Sequence, residues 1–155
     1  MTDILSVESE VAKTIADQLR AKLTGQEEEV IAAKPTDNPQ AYDAYLRGLA
    51  YTLKTGFTPA NSLGAQKYLK EAVQLDPNFA LGWTLLSYVD ASGYLTQSLQ
   101  PTEALREEAR HAAEMALTLQ PNLGEALLAK GFYYYACLKD YDTALKYLEQ
   151  AERGL

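Results

Sequence analysis

The chain has 155 residues, 47% apolar and 23% charged, with 14 Lys+Arg against 21 Asp+Glu and a net charge of −7. That is the length and balance of one globular core, and an acidic chain without a basic stripe is a poor ligand for nucleic acid. One cysteine and one histidine exclude an internal disulfide framework and a Cys/His metal centre. No apolar run reaches the roughly 18 residues of a membrane span, and the N-terminus lacks an apolar signal core, so the chain is expected in the cytoplasm.

Apolar residues recur at three and four positions, alanine and leucine are frequent, and no Asn-Gly or Asp-Gly pair offers a tight hairpin. An all-α chain follows. In order, the pattern predicts a helix over 6–23 and a short acidic one over 25–33. Three pairs follow: 39–54 with 59–75, 79–92 with 101–119, and 123–137 with 140–153. The six prolines mark their ends. Asn38-Pro39, Thr58-Pro59 and Gln100-Pro101 read as cap and first helical residue, because proline fits the first turn and breaks the interior. Asn78 and Asn122 are the expected caps after Pro77 and Pro121, with Glu125 closing a capping box on Asn122.

An internal repeat is the strongest signal. Gly48, Ser87 and Gly131 align, 39 and 44 residues apart. The second helices align as Ala65-Leu69-Ala72-Pro77, Ala109-Ala113-Ala116-Pro121 and Ala144-Leu148-Ala151. A small residue where two helices cross lets their axes approach, and a larger one beside it fills the gap.

On these residues the chain resembles the tetratricopeptide repeat family, whose 34-residue helix-turn-helix unit carries W-x2-L-G-x2-Y, then A-x3-F, then P. The third unit keeps Gly131 and Tyr134, then Ala144, Leu148 and Ala151. The second keeps Trp83 and Leu86, with Ser87 for Gly and Asp90 for Tyr. The first keeps Gly48 and Tyr51, with Ala44 and Arg47 for Trp and Leu; Lys130 replaces Leu in the third. Arg and Lys stems can pack while their heads reach water. The resemblance implies a right-handed superhelical stack of three helix pairs over 38–155, with repeats at about 41–79, 80–123 and 124–155, preceded by 1–37 as a linker or cap. The first two units exceed the family length by about 5 and 10 residues. The excess falls in 54–64 and 92–102, where it lengthens either the second helices backwards or a solvated loop.

The five-residue step from Ala72 to Pro77 and from Ala116 to Pro121, carried to Ala151, places the next boundary just past Leu155. The last repeat therefore reads as truncated and the chain as a fragment of a larger protein. Residues 3–55 resemble the junction before the repeats in bacterial multidomain signalling proteins. There an adenylate-cyclase or winged-helix domain precedes a domain similar to the N-terminal domain of TolB.

The family binds proteins or peptides on the concave face made by the first helix of each pair. By family position that face carries Tyr42, Tyr45, Leu49 and Leu53, then Leu81, Thr84, Tyr88 and Ser92, then Glu125, Leu128, Phe132 and Tyr135. Tyr45, Leu49, Thr84, Tyr88, Leu128, Phe132 and Tyr135 are the expected contact set; ordinary inter-repeat core is the competing reading for each. The face holds no Lys, Arg or Asn to clamp a carboxylate. Protein–protein scaffolding is the expected role, with a structural oligomerisation module as the alternative and a small-molecule groove behind it. Val7, Val11, Ala12, Ile15, Ala16, Leu19 and Leu23 form an apolar arc on the first helix, through which the chain could self-associate.

The remaining residues carry no chemistry. His111 is expected exposed, Cys137 buried, Glu27 to Glu29 in a helix first turn, and Asp140 and Asp142 at a helix start. Without nucleophile, phosphate-loop or metal spacing, neither catalysis nor a cofactor is expected.

Overall fold

A computed structural model describes residues 35–154 together with residues 10, 13–15 and 17. The chain forms two compact units, Met1–Lys34 and Pro35–Leu155. In the first, the five described residues are helical and Ile15 is buried. The rest of the expected amphipathic helix, and the short acidic helix at 25–33, lie outside the described residues.

Every regular element described in the second unit is helical: α1 (Pro39–Thr52), α2 (Pro59–Leu75), α3 (Ala80–Thr96), α4 (Glu103–Leu119), α5 (Gly124–Tyr133), a π-helical turn (Tyr134–Leu138) and α6 (Tyr141–Gly154). The helices pack in adjacent antiparallel-ordered pairs, α1 on α2, α3 on α4 and α5 on α6. Consecutive pairs join through α2–α3, α4–α5 and α3–α5.

The proline stations act as expected at the first two sites. Asn38 Oδ1 accepts from the amides of Gln40 and Ala41, both at 3.0 Å, and Thr58 Oγ1 accepts from Asn61 at 3.2 Å. Each satisfies helix N–H groups that lack an intrahelical acceptor. At the third site the cap moves on by two residues. Thr102 caps α4 by accepting from Leu105 at 3.1 Å, and Pro101 stays outside the helix. Asn78 and Asn122 do not cap; Phe79 and Leu123 hold those positions without a side-chain bond. Glu125 is buried rather than closing a capping box. The two Pro-Asn turns are held instead by the backbone, Phe79 to Asp76 O and Leu123 to Gln120 O, both 3.1 Å.

The aligned small residues meet the same partner in all three pairs. A Cβ on Gly48 would lie 2.7 Å from Leu69 Cγ and 3.3 Å from the carbonyl of Ala65. One on Gly131 would lie 3.1 Å from the carbonyl of Ala144 and 3.2 Å from Leu148 Cγ. Ser87, fully buried, donates its hydroxyl to the carbonyl of Ala109 at 2.8 Å. In each pair the small residue of the first helix sits on the carbonyl of the aligned alanine in the second. Around these crossings Ala65, Leu69, Ala72, Ala109, Ala113, Ala116, Ala144 and Ala151 are all buried, so the core is a seam of small side chains between close axes.

The extra length of the first two units has two destinations. The helices α2 and α4 begin six residues before Ala65 and Ala109, whereas α6 begins three before Ala144, which adds about one turn. Helix α3 also runs on to Thr96, beyond the expected end at 92, and stops at Gln97 in the left-handed region with φ 61°.

Candidate partner-binding face

The aromatic set of the first helices divides by depth. Tyr45, Leu49 and Thr84 are buried at 4, 5 and 6% exposure. The Tyr45 ring packs on Phe79, centroids 5.0 Å apart, and Thr84 spends its hydroxyl on the carbonyl of Ala80 at 2.9 Å. Burial holds the Tyr45 phenol well above its usual range, with Tyr42 and Glu125 adding to the shift. Side chains this deep have no area to offer a partner. Leu53, by contrast, is 57% exposed, beyond the end of α1.

Tyr88, Leu128, Phe132 and Tyr135 are half-buried. The structure brings three of these together. Tyr88 of α3 meets Phe132 of α5 at 5.2 Å between centroids, and Phe132 meets Tyr135 at 6.0 Å. Tyr135 then meets Tyr141, at the start of α6, at 5.6 Å. The result is a ladder of four rings across two helix pairs, ending on a Tyr141 that is 55% exposed. Tilted rings at this spacing attract one another beyond their burial, so the ladder is preorganised rather than loose. Leu128 stands one turn before Phe132 on α5. Ser92 and Glu125 are buried, while Tyr42 and Leu81 are half-buried.

The π-helical turn builds one end of the ladder. Four consecutive aromatics, Phe132 to Tyr135, cannot share a face of a regular helix. Around the junction of α5 and this turn, Tyr133 enters the core at 5% exposure and Tyr134 stacks on Tyr147 of α6 at 5.5 Å and 9°, while Phe132 packs between Tyr88 and Tyr135. Lys139 in the left-handed conformation (φ 55°) closes it, and the Asp140 amide returns to the carbonyl of Tyr134 at 3.0 Å. Asp140 then starts α6, its carboxylate accepting from the amide and hydroxyl of Thr143 at 3.2 and 2.7 Å. Those bonds hold the Asp140 carboxyl below the usual range.

Other candidates have structural roles. Cys137 is buried, and desolvation pushes its thiol up to about 12, so it is neutral at physiological pH. His111 is exposed, edge-on to Trp83 at 5.7 Å. The Arg47 head pairs with Asp43 at 2.9 Å, and the Lys130 amine lies 3.5 Å from Glu114 and 5.8 Å from the Tyr147 ring centre. Of the two replacements for the motif leucine, Arg47 thus keeps its charge at the surface, whereas the Lys130 side chain is 11% exposed and largely covered, its amine answered by Glu114. Among the described residues no group of three or more His, Cys, Asp or Glu is placed to hold a metal, and no helix is long and apolar enough to cross a membrane.

Three features were missed from the sequence: the π turn, the fourth ring Tyr141, and a polar cluster at Asp90. The aromatic run 132–135 is the signal that could have found the first. Asp90 itself stood out as a departure from the repeat pattern.

Among known proteins, the chain is 32% identical over 97 residues to "Putative adenylate cyclase 3" of Rhizobium meliloti (strain 1021). It resembles a piece of a cyclase-named protein. The match takes in 63% of this chain and 16% of that protein, so the chain spans under one fifth of its relative's length. No family model and no solved structure matches.

Proposed function

We propose that the chain is a tetratricopeptide-like protein–protein interaction scaffold, the regulatory helical-repeat region of a larger bacterial signalling protein such as an adenylate cyclase or a transcriptional regulator. Its three helix pairs, at about 41–79, 80–123 and 124–155, continue one another as a right-handed superhelix in the cytoplasm. Residues 1–37 act as the linker or cap before them. The partner is a protein or peptide, and the region itself is not catalytic.

The ring ladder from Tyr88 to Tyr141 carries the reading. It spans two pairs, stays half-exposed, and combines apolar area with phenol hydroxyls at low side-chain entropy, which is the composition of an anchor surface. The cyclase-named relative supports the signalling setting. A partner on this face would shift one pair against the next, and the motion would pass along the stack to the neighbouring domain.

The test is the double substitution Tyr88→Ala with Phe132→Ala in the intact signalling protein. Partner binding or partner-dependent output should fall at least tenfold while the far-ultraviolet helical signal of the isolated chain is kept. Unchanged output with a folded chain would refute the reading, and collapse of the helical signal would make these rings core. Exposed Leu138, Tyr141 and Leu145, at 43, 55 and 55%, favour a second reading as an oligomerisation module. A concentration-independent monomer in analytical ultracentrifugation would exclude it.

A further inference from the structure

Asp90 stands in α3 where the repeat pattern places tyrosine, and it is entirely buried. Two helices of different pairs close over it. From α2, Gln66 Nε2 donates to Asp90 Oδ1 at 2.8 Å and to Glu108 Oε2 of α4 at 3.3 Å, so one amide straddles two carboxyl groups. Lys70, also of α2, reaches the other oxygen of Glu108 at 3.0 Å. Cys137 of the π turn is a further neighbour of Asp90, its neutral thiol also within the field of Arg106 on α4. Asp90 Oδ2 has no hydrogen-bond donor. The lone ammonium of the cluster is therefore spent on Glu108, on the more exposed side, and the deep carboxyl has one amide and no cation in contact.

A buried carboxylate in that position is costly, and a buried acceptor facing a second carboxylate has one economical solution, a proton between them. We propose that Asp90 and Glu108 share one proton in the folded protein, so that the joint between the first and second helix pairs is locked by protonation and loosens as that proton leaves. With Asp90 protonated, its Oδ2–H donates to Glu108 and its Oδ1 accepts from Gln66. Glu108 keeps its contact with Lys70 at 3.0 Å, and Asp90 Oδ2 is no longer without a partner. Loss of the proton leaves two carboxylates facing each other with one ammonium between the three helices.

The titration of Asp90 agrees with the geometry. Burial, then Glu108, pushes its carboxyl well above the ordinary range, with Gln66 and Lys70 opposing. An unfolded aspartate titrates at about 3.9. Below that pH both states hold the proton and nothing is lost. Above it the unfolded chain gains by ionising while the folded chain does not, so stability falls as pH rises toward the folded value. The depressed carboxyls of Glu107, Glu114 and Asp140 act in the opposite sense, being lost as pH falls, so the effect must be read as a difference.

Thermal unfolding of the whole chain, from about pH 4 to about pH 9, tests this with Asp90→Asn and Glu108→Gln. Asparagine can donate to Glu108 and accept from Gln66 without ionising. The Tm of Asp90→Asn minus that of the parent should rise steadily with pH, reaching several degrees at the alkaline end, and Glu108→Gln should lessen the parent's slope. A difference that is flat with pH in both variants overturns the proposal. Should neither variant fold, the carboxyl carbon of Asp90 in the unaltered protein is followed by NMR over the same range. A midpoint well above the ordinary carboxylate range supports the shared proton, and an ordinary midpoint overturns it.

Discussion

At the scale of single residues, contact between helices is governed by what is absent. Gly48 and Gly131 have no room for a Cβ without moving a leucine or pressing on a backbone carbonyl, and Ser87 fills the equivalent gap with a hydrogen bond. Ser87→Ala should cost about 1 kcal/mol for the lost bond, and Ser87→Val about 1–3 kcal/mol more for overpacking against α4. Urea unfolding of the two variants checks the order; equal midpoints would mean that the crossing at Ser87 is looser than described. These positions were readable from the sequence because spacing alone aligns them. Depth was not. Helical periodicity gives the direction in which Tyr45, Thr84 and Tyr88 point, but not how much chain lies above each. The first two are buried and Tyr88 is half-open.

Among the elements, the ends were legible where a capping side chain sits directly before proline, and not where the backbone makes the turn or where, as at Thr102, the cap follows the proline. Asn38 and Thr58 cap as their position just before proline suggests, since a short polar side chain in extended conformation reaches the first free amides. After Pro77 and Pro121 the turn bonds hold without a side chain, so the asparagines there carry no cap. The π turn breaks the three-and-four rhythm itself and cannot be read from that rhythm. It ends on Lys139, whose positive φ of 55° disfavours a side chain bearing Cβ. Lys139→Gly should therefore be neutral to stabilising by up to about 1 kcal/mol, whereas Lys139→Val should destabilise. Thermal melts of the pair check it. If glycine destabilised as much as valine, the left-handed closure of the ladder's end would be in error.

For the whole molecule, the repeating crossing does more than hold pairs together. It sets the first helices of the second and third pairs at a spacing that lets Tyr88 reach Phe132, and through it Tyr135 and Tyr141, so that a surface no single pair contains arises from their register. The polar cluster of Asp90, Gln66 and Glu108 adds hydrogen bonds between the first pair and the second, beside the Tyr45–Phe79 ring contact. Site-specific photo-crosslinking, in the larger signalling protein proposed above, tests the use of the ladder surface most directly, with a photoreactive phenylalanine analogue placed at Tyr135 or, as an exposed control on α2 outside the ladder, at Glu71. Crosslinks to a partner or neighbouring domain from position 135 and none from position 71 are the predicted result. Crosslinks from position 71 alone, or from neither in a folded protein, would contradict the account.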